Sequence, residues 1–381
     1  MSLYLDNAAT SHPKPQAVYE RVRHVLEEVG ASPGRGAYRL AREASAVLAD
    51  ARKKLATLFG IADPQQIVFT ANATESINVV LKGWLRPGDR VLISSLEHNA
   101  VVRPLARLAQ IGVQVETVPN SPSGHLDLDE FRRLLTPPPR LVVLVHACNV
   151  NGALQPAEEV AGLCRHAGVP LLLDAAQTAG VQRFLVDEWA LGMLACSGHK
   201  GLLGPSGVGM LYIRPDLDVA PLREGGTGSR SEEEQQPLFR PDRYECGTPN
   251  LPGIAGLAAG VEFILKEGID AIRHHELELA TMLEQGLEEL PRVRLYRPEI
   301  RGTGAVSFNV AHLNPGDLGH LLDAGFDIAV RTGLHCAPLA HKALGSFPAG
   351  SVRVAPGYFN TRDHIEQFLN AMRSLLRHAG R

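Results

Sequence analysis

Between residues 67 and 197 the chain alternates short apolar runs with stretches of helical periodicity. Ile67–Thr70, Arg90–Ser94, Val113–Val118, Arg140–His146, Val169–Leu173 and Leu191–Cys196 read as strands. Thr74–Trp84 is predicted to be helical, because Ile77, Val80, Leu81 and Trp84 fall on one face. Asn99–Ala109 and Glu158–His166 read the same way. Helices alternating with strands that are apolar throughout predict a mainly parallel sheet covered on both faces. Ligands of such sheets bind beyond the carboxyl ends of the strands.

The flanks differ. Residues 1–16 read as an arm with turn residues Asn7, Pro13 and Pro15. Residues 17–58 read as helix, broken by glycine and proline at 31–36. Past Pro249–Gly253, Leu279, Leu283, Leu287 and Leu290 recur at helical spacing. Strand-like Gly304–Val310, helix-like Pro315–Leu322, a loop Arg331–Pro338 and a last helix from Thr361 follow. The pattern predicts an α/β protein with an arm (1–16), a large domain (17–250) and a smaller α/β domain (251–381).

Composition narrows the class. A chain of 381 residues, 45% hydrophobic and 21% charged, suits a soluble protein of two domains. The formal net charge of −3 offers no basic excess for nucleic acid or an anionic membrane. No signal-peptide pattern opens the chain, and no apolar stretch is long enough to span a bilayer. The five cysteines show no paired spacing, which points to reduced thiols in the cytoplasm. His274-His275-Glu276 lacks metal-site spacing.

Four short segments carry candidate chemistry. Lys200, in Ser197-Gly198-His199-Lys200-Gly201, follows a buried strand. Desolvation there would lower its pKa and free a neutral amine to attack an aldehyde; alone, it could equally be a surface lysine in a turn. Asp174 ends an apolar strand, placed to pair with a protonated pyridine nitrogen or simply to cap a helix. The turn 70–76 joins strand to helix, where free N–H groups and a threonine hydroxyl favour a phosphate; capping by Asn72 or Thr74 is the plainer alternative. His98, at another strand end, could stack on a planar ring or serve only as a polar terminus. Together they supply a carbonyl trap, a pyridinium partner, a phosphate seat and a stacking group at one sheet edge.

The chain resembles the class V aminotransferase-like, fold-type-I enzymes that use pyridoxal 5'-phosphate, and within them the cysteine desulfurases. Seven segments carry the resemblance in family order: Tyr4–Thr10, Thr74–Asn78, Glu97–Asn99, Cys148–Gly152, Asp174–Gln177, Ser197–Lys200 and Gly247–Asn250. It implies a mainly parallel sheet of the seven-stranded type and a smaller C-terminal domain against which the arm packs. It implies that Lys200 bonds the cofactor aldehyde, Asp174 pairs with its ring nitrogen and His98 stacks on the ring and aids proton transfer. Gln177 would reach the ring hydroxyl; Ala73, Thr74, Ser197 and His199 would hold the phosphate. Asn149 would sit by substrate and cofactor. Thr248 would reach the phosphate of a partner subunit, so a homodimer is implied.

The segment Arg331-Thr332-Gly333-Leu334-His335-Cys336-Ala337-Pro338 narrows the reaction. Positive neighbours would lower the Cys336 thiol's pKa. Cys148, Cys164 and Cys196 fit apolar patterns and read as buried; Cys246 is the rival. The segment resembles the catalytic loop of group II desulfurases and selenocysteine lyases, with Leu334 where that group has a first histidine. Arg353 would bind a substrate carboxylate through its planar fork, with Arg331 a weaker candidate. The implied activity converts L-cysteine to L-alanine, leaving sulfur on Cys336 for an acceptor protein, as in iron–sulfur cluster assembly. Selenocysteine lyase is the near alternative. Another class V reaction (transamination, epimerisation or β-elimination), with Cys336 incidental, is the further one.

Overall fold

The computed structural model describes residues 2–34 and 36–378. Met1, Arg35 and residues 379–381, which fall within the expected arm, helix break and final domain, lie outside the described residues. Elements run β1 (Leu3–Tyr4), α1 (Gln16–His24), a π-helical turn Val25–Val29, α2 (Arg39–Phe59), β2 (Ile67–Thr70), α3 (Ala73–Trp84), β3 (Arg90–Ser94), α4 (Asn99–Ala109), β4 (Gln114–Val118), α5 (Leu128–Leu134), β5 (Leu141–Val145), α6 (Ala157–His166), β6 (Leu171–Asp174), β7 (Met193–Ser197) and β8 (Gly209–Ile213). They continue with α7 (Leu251–Glu267), α8 (Ile269–Glu288), β9 (Val293–Leu295), β10 (Val306–Val310), α9 (Pro315–Phe326), β11 (Ile328–Ala329), β12 (Arg331–Gly333), α10 (Pro338–Leu344), β13 (Ser351–Val354) and α11 (Arg362–His378).

Among the described residues the large sheet has seven strands in the order β2-β8-β7-β6-β5-β3-β4. The run from β7 to β4 is parallel; β8 is antiparallel to both its neighbours. Successive side chains alternate between two cores, as a pleated strand requires. On β5, Leu141 and Val143 enter one core while Val142 and Leu144 enter the other. β8 is an apolar run, buried throughout, that is not among the expected strands.

A four-stranded sheet, β12-β13-β10-β9, backs the second domain. Its core joins Leu279, Leu283 and Leu287 of α8 to Phe308, Leu322 and Phe368. The arm belongs to this core: Leu3 and Leu5 are buried in it, and β1 pairs in parallel with β11.

Two expectations need correcting. α7 packs with the large unit, not the small one: Ile254, Leu257, Val261 and Ile264 share the core that holds β6 and β7. It is apolar nearly all round because it lies sandwiched there. The expected loop Arg331–Pro338 is a strand, a tight turn and a helix start; β12 pairs antiparallel with β13, setting Arg331 opposite Arg353. Among the described residues no helix is long and apolar enough to cross a membrane.

Candidate active site

Lys200 stands just past the end of β7, next to β6, whose last residue is Asp174. The turn bearing Lys200 is tightly packed. A side chain at Gly198 would come within 2.7 Å of the Val208 carbonyl, and one at Gly201 within 2.5 Å of the Ala179 carbonyl. Burial pulls the half-buried Lys200 amine down to about 8, Arg353 and Arg331 adding to the effect and Asp174 opposing it. The buried Asp174 carboxyl is shifted upward by burial, while the Ala176 N–H (2.9 Å to Oδ1) and Lys200 pull it back.

Beside them, Asn72 caps α3 by accepting from the Glu75 N–H at 3.0 Å. The capping alternative therefore falls to Asn72, and Thr74 stays exposed on the first turn. The Ala73 N–H donates to Ser197 Oγ at 3.0 Å, joining that turn to the end of β7. His199 Nδ1 is buried without a protein partner. The His199 carbonyl collects the arm: Thr10 Oγ1 and Ser11 N at 3.0 Å, Lys14 Nζ at 2.9 Å.

His98 caps α4, its Nδ1 accepting from the Ala100 N–H at 3.0 Å. The neutral ring therefore carries its proton on Nε2. Burial first, then the cations Lys200, Arg331, Arg103 and Arg353, hold it down to about 4. Gln177 Nε2 donates to the Ala8 carbonyl of the arm at 3.0 Å.

The second domain contributes the cysteine and both arginines. Cys336 is exposed, Cys246 half-buried, and Cys148, Cys164 and Cys196 are buried. The Cys336 carbonyl accepts from the Asn99 N–H at 2.8 Å. Asn149 Nδ2 donates to the His335 carbonyl at 2.8 Å, and Asn149 Oδ1 is buried without a partner. His335, though it directly precedes Cys336, is not its positive neighbour. The ring is turned inward, 4% exposed, and burial drives it far down to about 2, so it is neutral. Arg331 is the positive neighbour instead, with Nη2 3.9 Å from Cys336 Sγ.

Arg353 is no surface ion pair. It is 1% exposed, with Nη2 2.6 Å from Asp6 Oδ1 and Nη1 2.8 Å from the Asn149 carbonyl. Its Nε is buried without a partner.

Thr248 stands apart: it is exposed, and among the described residues no hydrogen bond joins it to this cluster. The sequence reasoning missed two residues. Asp6 lies in the opening segment, but nothing local marks it as the partner of Arg353. Glu97 is fully buried, its Oε1 accepting from Ser94 Oγ (2.7 Å) and the Val145 N–H (2.8 Å), and burial pushes its carboxyl up to about 8. Its place just before His98 was the available signal. Among the described residues no His/Cys/Asp/Glu group could hold a metal, and His275 contacts the Asn360 carbonyl instead.

The class-V aminotransferase family matches residues 3–368 of the chain. The chain belongs to that family. Its cofactor is pyridoxal phosphate, and the fold is fold type I. A probable cysteine desulfurase from Synechocystis sp. is 34% identical, covering 98% of this chain and 91% of its own. A cysteine desulfurase from Serratia proteamaculans is 33% identical, covering 98% and 93%. The solved apo structure of a cysteine desulfurase from Thermococcus onnurineus superposes with a TM-score of 0.91 at 35% identity, covering 99% of this chain and 95% of that one. The class V members of fold type I thus include desulfurases similar to this chain over nearly its whole length.

Proposed function

We propose that the chain is a cysteine desulfurase, taking sulfur from L-cysteine and releasing L-alanine. The observation that carries this is Cys336: an exposed thiol beside Arg331, its carbonyl bonded to the Asn99 amide next to His98. The cofactor's pocket fits the donor set. A buried carboxylate, a lysine of lowered pKa, a helix start with a free threonine hydroxyl, and unpartnered polar atoms on His199 and Asn149 face one edge of the sheet.

Asp174 would pair with the ring nitrogen and His98 would stack on the ring. Ala73, Thr74, Ser197 and His199 would hold the phosphate, and Gln177 the ring hydroxyl. Bound there, pyridoxal phosphate supplies an electron sink for charge left at the substrate Cα. Lys200 would anchor the cofactor aldehyde, and as a free neutral amine it would move the substrate Cα proton. Arg331 and Arg353 present the positive charge that draws the substrate carboxylate, Arg353 held in place by Asp6 and the Asn149 carbonyl. The Cys336 thiolate attacks the substrate sulfur. The C–S bond breaks, its electron pair stays on carbon and takes up the proton released by the thiols, and alanine leaves. Cys336 keeps the sulfur as a persulfide for an acceptor protein.

We further propose a cytoplasmic homodimer in which Thr248 reaches the partner's phosphate. Its exposed position on the segment entering α7 supports this. Mass spectrometry after adding L-cysteine tests the assignment. Added sulfur on Cys336, absent from the Cys336→Ala variant, supports it; alanine formation undiminished in that variant overturns it.

A further inference from the structure

Cys336 does not hang free. Besides the Asn99 bond to its own carbonyl and the Asn149 bond to the His335 carbonyl, the Ala337 N–H closes the turn on the Leu334 carbonyl at 2.8 Å. His335 and Cys336 have φ of 47° and 56°. Two successive non-glycine residues in the left-handed region persist only where surrounding contacts impose that conformation.

The His335 side chain supplies such a contact. Its Nε2 lies 3.1 Å from Ser351 Oγ on β13; Ser351 Oγ lies 3.2 Å from Ser307 Oγ on β10; Ser307 Oγ lies 2.6 Å from the Val150 carbonyl. The proton directions along this chain follow from the groups themselves. A carbonyl only accepts, so the one hydroxyl proton of Ser307 goes to Val150. The one proton of Ser351 goes to Ser307. Ser351 can then only accept from the ring, so His335 Nε2 carries the third proton. Nδ1 is left with a bare lone pair, buried without a partner. A second proton there would place an uncompensated charge in the interior, close to Arg353 and Arg331 and against the His341 ring, whose centroid is 5.3 Å away.

We propose that His335 is a positioning residue for Cys336: as a neutral Nε2–H donor it hangs the cysteine turn from Ser351, Ser307 and the Val150 carbonyl, while Arg331 is the cation that faces the thiol. A histidine directly before a reactive cysteine invites the roles of proton carrier and thiolate partner. Here the ring points away from the sulfur, and its work is mechanical. The inference rests on Cys336 being the sulfur-accepting thiol, but its first test does not.

Histidine ring ¹⁵N spectra of the full-length holoprotein, with His335→Gln used for assignment, should show one ring protonated on Nε2. That ring should not titrate between about pH 5.5 and 8.5, where ordinary histidines do. A titrating ring, or one protonated on Nδ1, overturns the proposal. The second test compares His335→Gln, which keeps a donor but cannot titrate, with His335→Leu and Ser351→Ala, which break the chain of bonds. The two breaking variants should lower kcat for alanine formation about tenfold with KM within about twofold, and speed hydrogen exchange at the Asn99 amide by a similar factor. His335→Gln should stay near wild type in both.

Equal losses in His335→Gln and His335→Leu overturn the proposal. If His335→Leu does not fold, Ser351→Ala and the ring spectra decide alone. The expected tautomer and exchange rates in a protein that forms no persulfide would sink the desulfurase reading and leave the positioning role standing.

Discussion

The cofactor shelf and the cysteine turn are built on different principles. Asp174, Ser197 and Lys200 sit at the ends of adjacent parallel strands whose backbones are bonded residue for residue. Asp174 is set by β6, Ser197 and Lys200 by β7 and the turn that follows it, and the sheet sets the distance between the two strands. Cys336 sits on a turn of the second domain, held by contacts reaching far along the chain: Asn99, Asn149, Ser351 and, through Arg353, Asp6 of the arm. The shelf is rigid because it is part of a core. The turn is fixed only as long as domain, arm and sheet stay docked. On the proposed function, holding a cofactor suits the first kind of construction, and delivering a thiol and then passing its sulfur outward calls for an exposed group, which a core cannot offer.

The sharpest way to break this comparison is to remove one reactive group from each side. Lys200→Ala should cost about 10³–10⁴-fold in activity, the scale of a lost proton-transfer group, together with the protein's visible absorbance. Cys336→Ala should abolish persulfide formation while the absorbance remains. Loss of absorbance in both variants would mean that the two regions are one cooperative unit.

Next is Asp174→Asn, which keeps the shape of the shelf but not its charge. Activity should fall about 10²–10³-fold, as when one preorganised electrostatic partner is lost. The Cys336 turn should be untouched, as judged by alkylation of its thiol.

Asp6→Asn acts on the other side. It leaves the Arg353 charge buried without its partner and should destabilise the chain by about 3 kcal/mol. Denaturant titration checks this, and a raised KM for cysteine should accompany it while the cofactor spectrum stays the same.

The mildest effect is on pH dependence. Folded Glu97 holds its proton up to about pH 8, against 4.5 when unfolded. Between those values the folded chain binds more protons, so this group's contribution to stability falls as pH rises through that window. His98 and His199, held down to about 4, act oppositely: the folded chain binds fewer protons, and stability is lost as pH drops from 6.5 toward 4. Glu97→Gln should flatten the part of the stability loss that runs from about pH 4.5 to 8, as measured by unfolding at about pH 5 and pH 8.

The two regions were unequally legible. The strands ending in Asp174 and Ser197 announce themselves by unbroken apolar runs, and the turns after them carry Lys200 and its glycines. Residue type, local pattern and strand direction together place those groups at one edge, because a parallel sheet puts all its carboxyl ends on one side. For the cysteine turn the sequence misled at the level of contacts. His335 precedes Cys336, yet its ring turns inward to Ser351. Arg331, five residues back, becomes the neighbour of the thiol because β12 and β13 bring it there. α7 likewise read as the start of a new domain, since Pro249–Gly253 breaks the pattern, but its all-round apolar surface sends it into the large core.

By itself, the sequence determined the parallel sheet, the lysine and aspartate at its edge, and the presence of a second domain bearing a cysteine. All of these follow from short-range periodicity and from residue chemistry that needs no partner. Only the tertiary structure decided that Asp6 holds Arg353, that the His335 ring meets Ser351 and that Arg331 faces the sulfur. These pairings are made by tertiary contacts, from Arg331 and Cys336 five residues apart to Asp6 and Arg353 at opposite ends of the chain, and no local rule fixes which buried charge or ring nitrogen will meet which.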